Sequence, residues 1–123
     1  MQTFKTKAFY HWARKIKLHN ETLQLAVEEI GQGVYEANLG GFLYKKRVAL
    51  RNKGKSRGAR VIIAFKREDK AIFIYGFSKN QKANITSKEL AALKKLSQIY
   101  LAYSEDQIKD LLRIKEFIEV KCI

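Results

Sequence analysis

Phe9, Trp12, Ala13 and Ile16 recur at steps of three and four residues behind Thr6, a candidate N-cap, and this spacing predicts a short amphipathic helix. Asn20 opens a second helix, in which Leu23, Ala26, Val27 and Ile30 form the apolar stripe. Gly31 and Gly33 follow as residues able to take the left-handed conformation that ends helices, so the two helices are expected to form a hairpin. From Val34 the period shortens. Four runs rich in β-branched, aromatic or aliphatic residues predict strands over 34–39, 42–50, 59–65 and 71–77. The third and fourth are apolar on both faces, which places them at the sheet centre with both sides covered, and the short Arg67-Glu68-Asp69 link makes them an antiparallel hairpin. Gly40-Gly41 reads as the turn between the first two strands. Thr86-Ser87-Lys88-Glu89 and Ser104-Glu105-Asp106-Gln107 both have the pattern of a capping box, and each precedes residues at helical spacing. Phe117 to Val120 is read as a brief extended segment. The expected class is α+β: a small antiparallel four-stranded sheet packed against an N-terminal helical hairpin and C-terminal helices, one domain over residues 1–123.

Composition agrees with a single packed core: 123 residues, 46% hydrophobic, no Pro and only seven Gly. The first ten residues mix Lys5 and Lys7 with aromatics, and no later apolar stretch has the length of a membrane span, so a cytoplasmic protein without membrane association is expected. The one cysteine, Cys122, rules out an internal disulfide and a Cys-cluster zinc site, and no cofactor or metal is called for.

Charge changes the picture most. The formal net charge is +13, and the stretch from Tyr44 to Lys82 holds thirteen Lys and Arg against only Glu68 and Asp69, so +11 of the total lies there. Such a stretch attracts phosphate backbones. A solvated, solubilising face is the default for scattered lysines, but these gather around Gly54 and Gly58, glycines that let a loop approach a phosphate backbone closely.

Three ordered segments then carry a family pattern. They are Asn38-Leu39-Gly40-Gly41 with Lys45-Lys46-Arg47-Val48-Ala49, Lys53-Gly54-Lys55-Ser56-Arg57-Gly58-Ala59-Arg60-Val61-Ile62, and the run from Ile74-Tyr75-Gly76-Phe77 through Lys79 to Ile85. Over nearly the whole chain the sequence resembles toxins of the RelE/ParE superfamily, on the RelE and HigB side. The resemblance implies a type II toxin-antitoxin system, a RelE-like fold and ribosome-dependent cleavage of messenger RNA. It also implies a cognate antitoxin, commonly a helix-turn-helix protein in HigB-like systems, with the ribosome and messenger RNA as the other partners. By motif, Lys53 and Lys55 match the family's basic loop, Arg60 the arginine that begins the third predicted strand, and Lys79 a base after the fourth. Where the family often has Gly-Gly and an aromatic after Lys-Ser, this chain has Arg57, Gly58 and Ala59, which removes an aromatic stacking partner.

Metal-free cleavage of RNA requires the ribose 2′-hydroxyl to lose its proton, attack phosphorus and expel a 5′-oxygen. His11 and His19 lie far in sequence from the basic stretch and read as surface or packing residues. Neighbouring cations can lower one ammonium pKa, which makes Lys53 and Lys55 the candidates for the base. Arg60 would stabilise the phosphate charge that develops, and Lys79 would assist at the leaving oxygen. Lys45, Lys46, Arg47, Arg51, Arg57 and Lys82 are expected to contact the RNA backbone. Tyr75 is a weaker candidate for stacking or proton transfer, because Phe73 and Phe77 are assigned to its strand face and a core role explains it as well. Two alternatives stay open: a ParE-like, non-enzymatic inhibitor of DNA gyrase, and an RNA-binding module without cleavage.

Overall fold

The computed structural model describes residues 1–50 and 58–121. In chain order the elements are β1 (Gln2–Thr6), α1 (Lys7–Lys15), α2 (Asn20–Gly31), β2 (Ala37–Gly40), β3 (Leu43–Val48), β4 (Ala59–Lys66), β5 (Lys70–Ser78), α3 (Ser87–Ala102), α4 (Glu105–Arg113) and β6 (Phe117–Glu119). The α+β class stands. The expected four-stranded antiparallel sheet is instead six-stranded and mixed, in the order β2-β3-β4-β5-β1-β6, with β1 parallel to β5 and antiparallel to β6. β1 escapes the periodicity because Phe4 is its one apolar residue, while Thr3, Lys5 and Thr6 are buried beside it. Lys5 is tolerated there because its Nζ donates to Asn20 Oδ1 at 2.9 Å and lies 5.2 Å from the centre of the Tyr10 ring; burial pushes its pKa down.

Thr6 caps α1 by accepting from the Phe9 amide, and Gly33 takes the left-handed turn after α2 at φ +84°. Both capping boxes form: Thr86 with Glu89 at α3, and Ser104 with Gln107 at α4. The Gly40-Gly41 turn brings β2 back onto β3, and Phe42 shares its left-handed conformation at φ +64°.

The helices divide between the two faces of the sheet. Phe9 and Ala13 of α1 and the Leu23, Ala26, Val27 and Ile30 stripe of α2 meet Val61, Ile63, Phe65, Ala71 and Phe73 in one core. Leu93 of α3 and Ile108 of α4 meet Phe4, Leu43, Ile62, Ile72, Ile74 and Phe77 in a second. Alternate residues of β4 therefore feed opposite cores, which is why its sequence is apolar throughout.

One irregularity re-aims side chains. Tyr75 pairs with Ile62 and Phe73 with Ile63, leaving Ile74 as the extra residue of a β-bulge. The bulge breaks the alternation, so Phe73 joins the α1–α2 core while Tyr75 and Phe77 turn to the α3 face. The expectation that all three share a face is corrected by that single inserted residue.

Candidate nucleic-acid interface

In the pairing of β3, β4 and β5, Arg47 stands opposite Arg60 and Arg60 opposite Phe77, all near one end of the sheet. Lys45, Arg47 and Arg60 alternate with residues of the α1–α2 core, so they point to the α3 face. Glu36, just before β2, donates its backbone N–H to the Lys45 carbonyl at 2.9 Å and places its carboxylate among these bases. Arg47 Nε donates to Glu36 Oε2 at 2.8 Å, Arg60 Nε donates to the same oxygen at 3.1 Å, and Lys45 Nζ lies 3.3 Å from Oε1. Lys45 also donates to Asn84 Oδ1 at 3.2 Å, which ties the segment after β5 to the patch.

Partial burial alone would raise the Glu36 carboxyl pKa. The hydrogen bond from Lys45 and the charges of Arg60 and Lys45 outweigh burial and hold it below its ordinary range, so Glu36 is an anion at neutral pH. Three cations around one carboxylate leave a local excess of positive charge. Arg60 is only 5% exposed and rigidly held, whereas the Arg47 side chain is 51% exposed and reaches solvent. Such a pair suits a phosphodiester: a buried guanidinium behind and a half-exposed one in front.

A second group lies along β5. Lys82 pairs with Glu89, and the Tyr75 hydroxyl donates to Glu89 Oε2 at 3.4 Å while accepting from Lys82 Nζ at 3.5 Å. The hydrogen bond from Lys82, with those from Thr86, lowers the Glu89 pKa to about 2. The hydrogen bond to Glu89 is likewise the main cause that raises Lys82. Because the folded-state Glu89 pKa is depressed, its stabilising contribution is complete above the ordinary carboxyl value of 4.5 and is lost as pH falls toward 2. Glu89→Gln, which keeps an acceptor for the cap, is expected to flatten the dependence of the unfolding midpoint on pH between those values. Equal slopes for the two proteins would contradict this pairing.

The predicted residues are not all brought together. Lys45, Arg47 and Arg60 converge, Lys82 stands near Tyr75, and Lys79 is exposed in the turn after β5. Lys46 does not join them: its side chain is 3% exposed, faces α2 and pairs with Glu29 at 3.1 Å. Lys53 and Lys55, expected as catalytic, and Arg51 and Arg57, expected on RNA, lie outside the described residues. Gly58 has a structural use, since a Cβ there would stand 2.0 Å from the Val48 carbonyl oxygen.

Glu36, Glu89 and Asn84 are not among the residues that the sequence assigns to the site. The basic stretch is nearly free of acids only along the chain; Glu29, Glu36 and Glu89 enter it from outside. A signal for Glu36 existed, because folding the strands back at Gly40-Gly41 sets the residues before Ala37 beside Lys45 and Lys46.

No helix among the described residues is long and apolar enough to cross a membrane. No curated protein matches the chain. A family model described as the RelE toxin of the RelE/RelB toxin-antitoxin system matches residues 1–120. With that match spanning nearly the whole chain, the protein belongs to the RelE toxin family and is the toxin of a toxin-antitoxin system, with a cognate antitoxin as its partner.

Proposed function

We propose that this toxin is a ribosome-dependent messenger RNA endonuclease that acts in the cytoplasm as one domain and needs neither metal nor cofactor. The observation that carries this reading is the convergence of Lys45, Arg47 and Arg60 around Glu36 on one sheet face. β3 ends at Val48 and β4 begins at Ala59, one residue beyond the Arg47–Arg60 pair, and Lys53 and Lys55 fall between the two strands in sequence. Arg60 and Arg47 hold the non-bridging oxygens of the scissile phosphate and stabilise the charge that builds there during attack. Lys53 or Lys55, assigned by family resemblance, takes the 2′-hydroxyl proton, and Lys79 assists departure of the 5′-oxygen. Arg51, Arg57 and Lys82 extend the backbone contacts. In this reading the antitoxin is a helix-turn-helix protein of the HigB-associated kind, which silences the toxin by covering the basic face.

The test is to add the purified chain to translating ribosomes and to the same message without ribosomes, then map the RNA ends. New ends within the reading frame are expected only in the translated sample. Their absence, together with inhibition of DNA supercoiling by gyrase, would assign the toxin to the non-enzymatic branch instead.

A further inference from the structure

Arg47 and Arg60 stand directly opposite each other on β3 and β4, and like charges in that position repel. Glu36 lies against both. Its Oε2 accepts from Arg47 Nε at 2.8 Å and from Arg60 Nε at 3.1 Å, while Oε1 stands 3.3 Å from Lys45 Nζ. The carboxylate is itself held in place: its side chain is 17% exposed, and the Glu36 N–H donates to the Lys45 carbonyl at 2.9 Å. The choice of nitrogen matters. A guanidinium donates from Nε along one side and from its two terminal nitrogens at its end. With Nε on Glu36, each arginine meets a phosphate end-on, through its terminal nitrogens. One oxygen therefore sets the direction of both forks. Through Lys45, which also donates to Asn84 Oδ1 at 3.2 Å, the same carboxylate is linked to the segment between β5 and α3.

We propose that Glu36 is a positioning residue: it aims Arg60 and Arg47 at the scissile phosphate and, by neutralising part of their charge, gives up RNA affinity for orientation. The proposal rests on the RNA-cleaving reading above and adds to it a residue that touches the arginines and not the RNA. Two effects of the carboxylate have opposite signs. As an anion beside the path of the phosphates it weakens RNA attachment, since each cation shared with Glu36 offers less charge to the backbone. As an acceptor fixed on Nε it keeps the forks from splaying apart under their mutual repulsion, so their charge is already in place when the transition state forms. Burial pushes the Glu36 pKa up, but the hydrogen bond from Lys45 and the charge of Arg60 outweigh it, so both effects operate at neutral pH. A carboxylate bonded to three cations is also a poor proton acceptor, which leaves that task to Lys53 or Lys55. A carboxylate that served only to hold the strands together would move stability, affinity and rate in one direction.

The test separates binding from the chemical step. Wild type, Glu36→Gln and Glu36→Asp are titrated with a dye-labelled single-stranded oligoribonucleotide at several salt concentrations. Each is then added in excess to ribosomes translating one defined message, and the single-turnover cleavage rate is followed to saturation. Glu36→Gln keeps an acceptor of the same length but not the charge. It is expected to bind RNA about threefold to tenfold more tightly, with a log-log salt slope steeper by about 0.7, the value for one further phosphate contact on a single strand. Its saturating cleavage rate is expected to fall about ten- to a hundredfold, the cost of a slightly misplaced group at the reacting phosphate. Glu36→Asp keeps the charge on a shorter arm that does not span both Nε atoms. It should bind with the wild-type affinity and slope and cleave about tenfold more slowly, and it carries the test alone if the glutamine variant does not fold. Binding as tight as wild type or tighter, with a lower saturating rate, supports the proposal. A saturating rate equal to wild type, or rate and affinity that fall together, would overturn it and leave Glu36 as a residue that only holds the strands. If wild type itself cleaves nothing on translating ribosomes, the RNA-cleaving reading fails and the positioning role with it.

Discussion

Arg60→Ala is expected to slow RNA cleavage on the ribosome by about two to three orders of magnitude, the usual cost of removing a donor aimed at developing negative charge. The fold should survive. Arg60 is 5% exposed and shares Glu36 with Lys45 and Arg47, so its loss leaves that carboxylate with two cationic partners and not stranded. The expected destabilisation is about 1–3 kcal/mol, within the margin of an ordinary domain and visible as a lower unfolding midpoint. Arg60→Lys keeps the charge but not the planar fork and should fall between wild type and alanine. Arg47→Ala, at a half-exposed position where solvent screens the charge, should cost far less, about tenfold. Cleavage by Arg60→Ala at the wild-type rate, with RNA ends mapped under identical conditions, would show that the cluster is structural.

Gly58→Ala is expected to have the largest effect on stability, about 3 kcal/mol or more. The added methyl would meet the Val48 carbonyl oxygen at 2.0 Å, and that oxygen belongs to the backbone of β3, which is paired to β4 along its whole length. Neither strand can yield without opening the Val48–Ala59 pairing next to Arg47 and Arg60. Activity should therefore fall along with the melting temperature. Gly31→Ala is the contrast. A Cβ there meets nothing closer than 3.9 Å, at the last residue of α2, and the exchange should raise stability by about 0.5–1 kcal/mol through the lower entropy of the unfolded chain. Equal melting temperatures for the two variants would contradict the close packing of β3 on Gly58.

Strong local signals made much of the fold legible. The apolar runs at 59–65 and 71–77 lie within β4 and β5, and both capping boxes start the helices they precede. β1 was not legible, because its place is set by neighbours and not by its own pattern: a strand with Lys5 and two threonines is buried only because β5 and β6 flank it. The site divides in the same way. The motif singles out Arg60 as a candidate and the strand's charge singles out Arg47, yet the carboxylate that pairs with both comes from across a turn. Lys46 illustrates the converse, since its neighbours in sequence are surface bases but the strand's alternation sends it under α2 to Glu29. The Ile74 bulge, which decides where Tyr75 points, depends on pairing with β4 and leaves no mark in the composition of β5.

The central claim, cleavage by the RNA's own 2′-hydroxyl on a cationic surface, predicts the chemistry of the product ends. Attack by that oxygen expels the 5′-oxygen, so the downstream fragment must begin with a 5′-hydroxyl and the upstream fragment end in a cyclic or opened 2′,3′-phosphate. The measurement is to treat messenger RNA recovered from toxin-treated translating ribosomes with polynucleotide kinase and score which fragments accept a labelled 5′-phosphate. The account predicts that the downstream fragments are labelled directly, without phosphatase treatment, and that Arg60→Ala yields almost none. Fragments that take label only after phosphatase treatment would carry 5′-phosphates, mark water as the nucleophile, and contradict the mechanism.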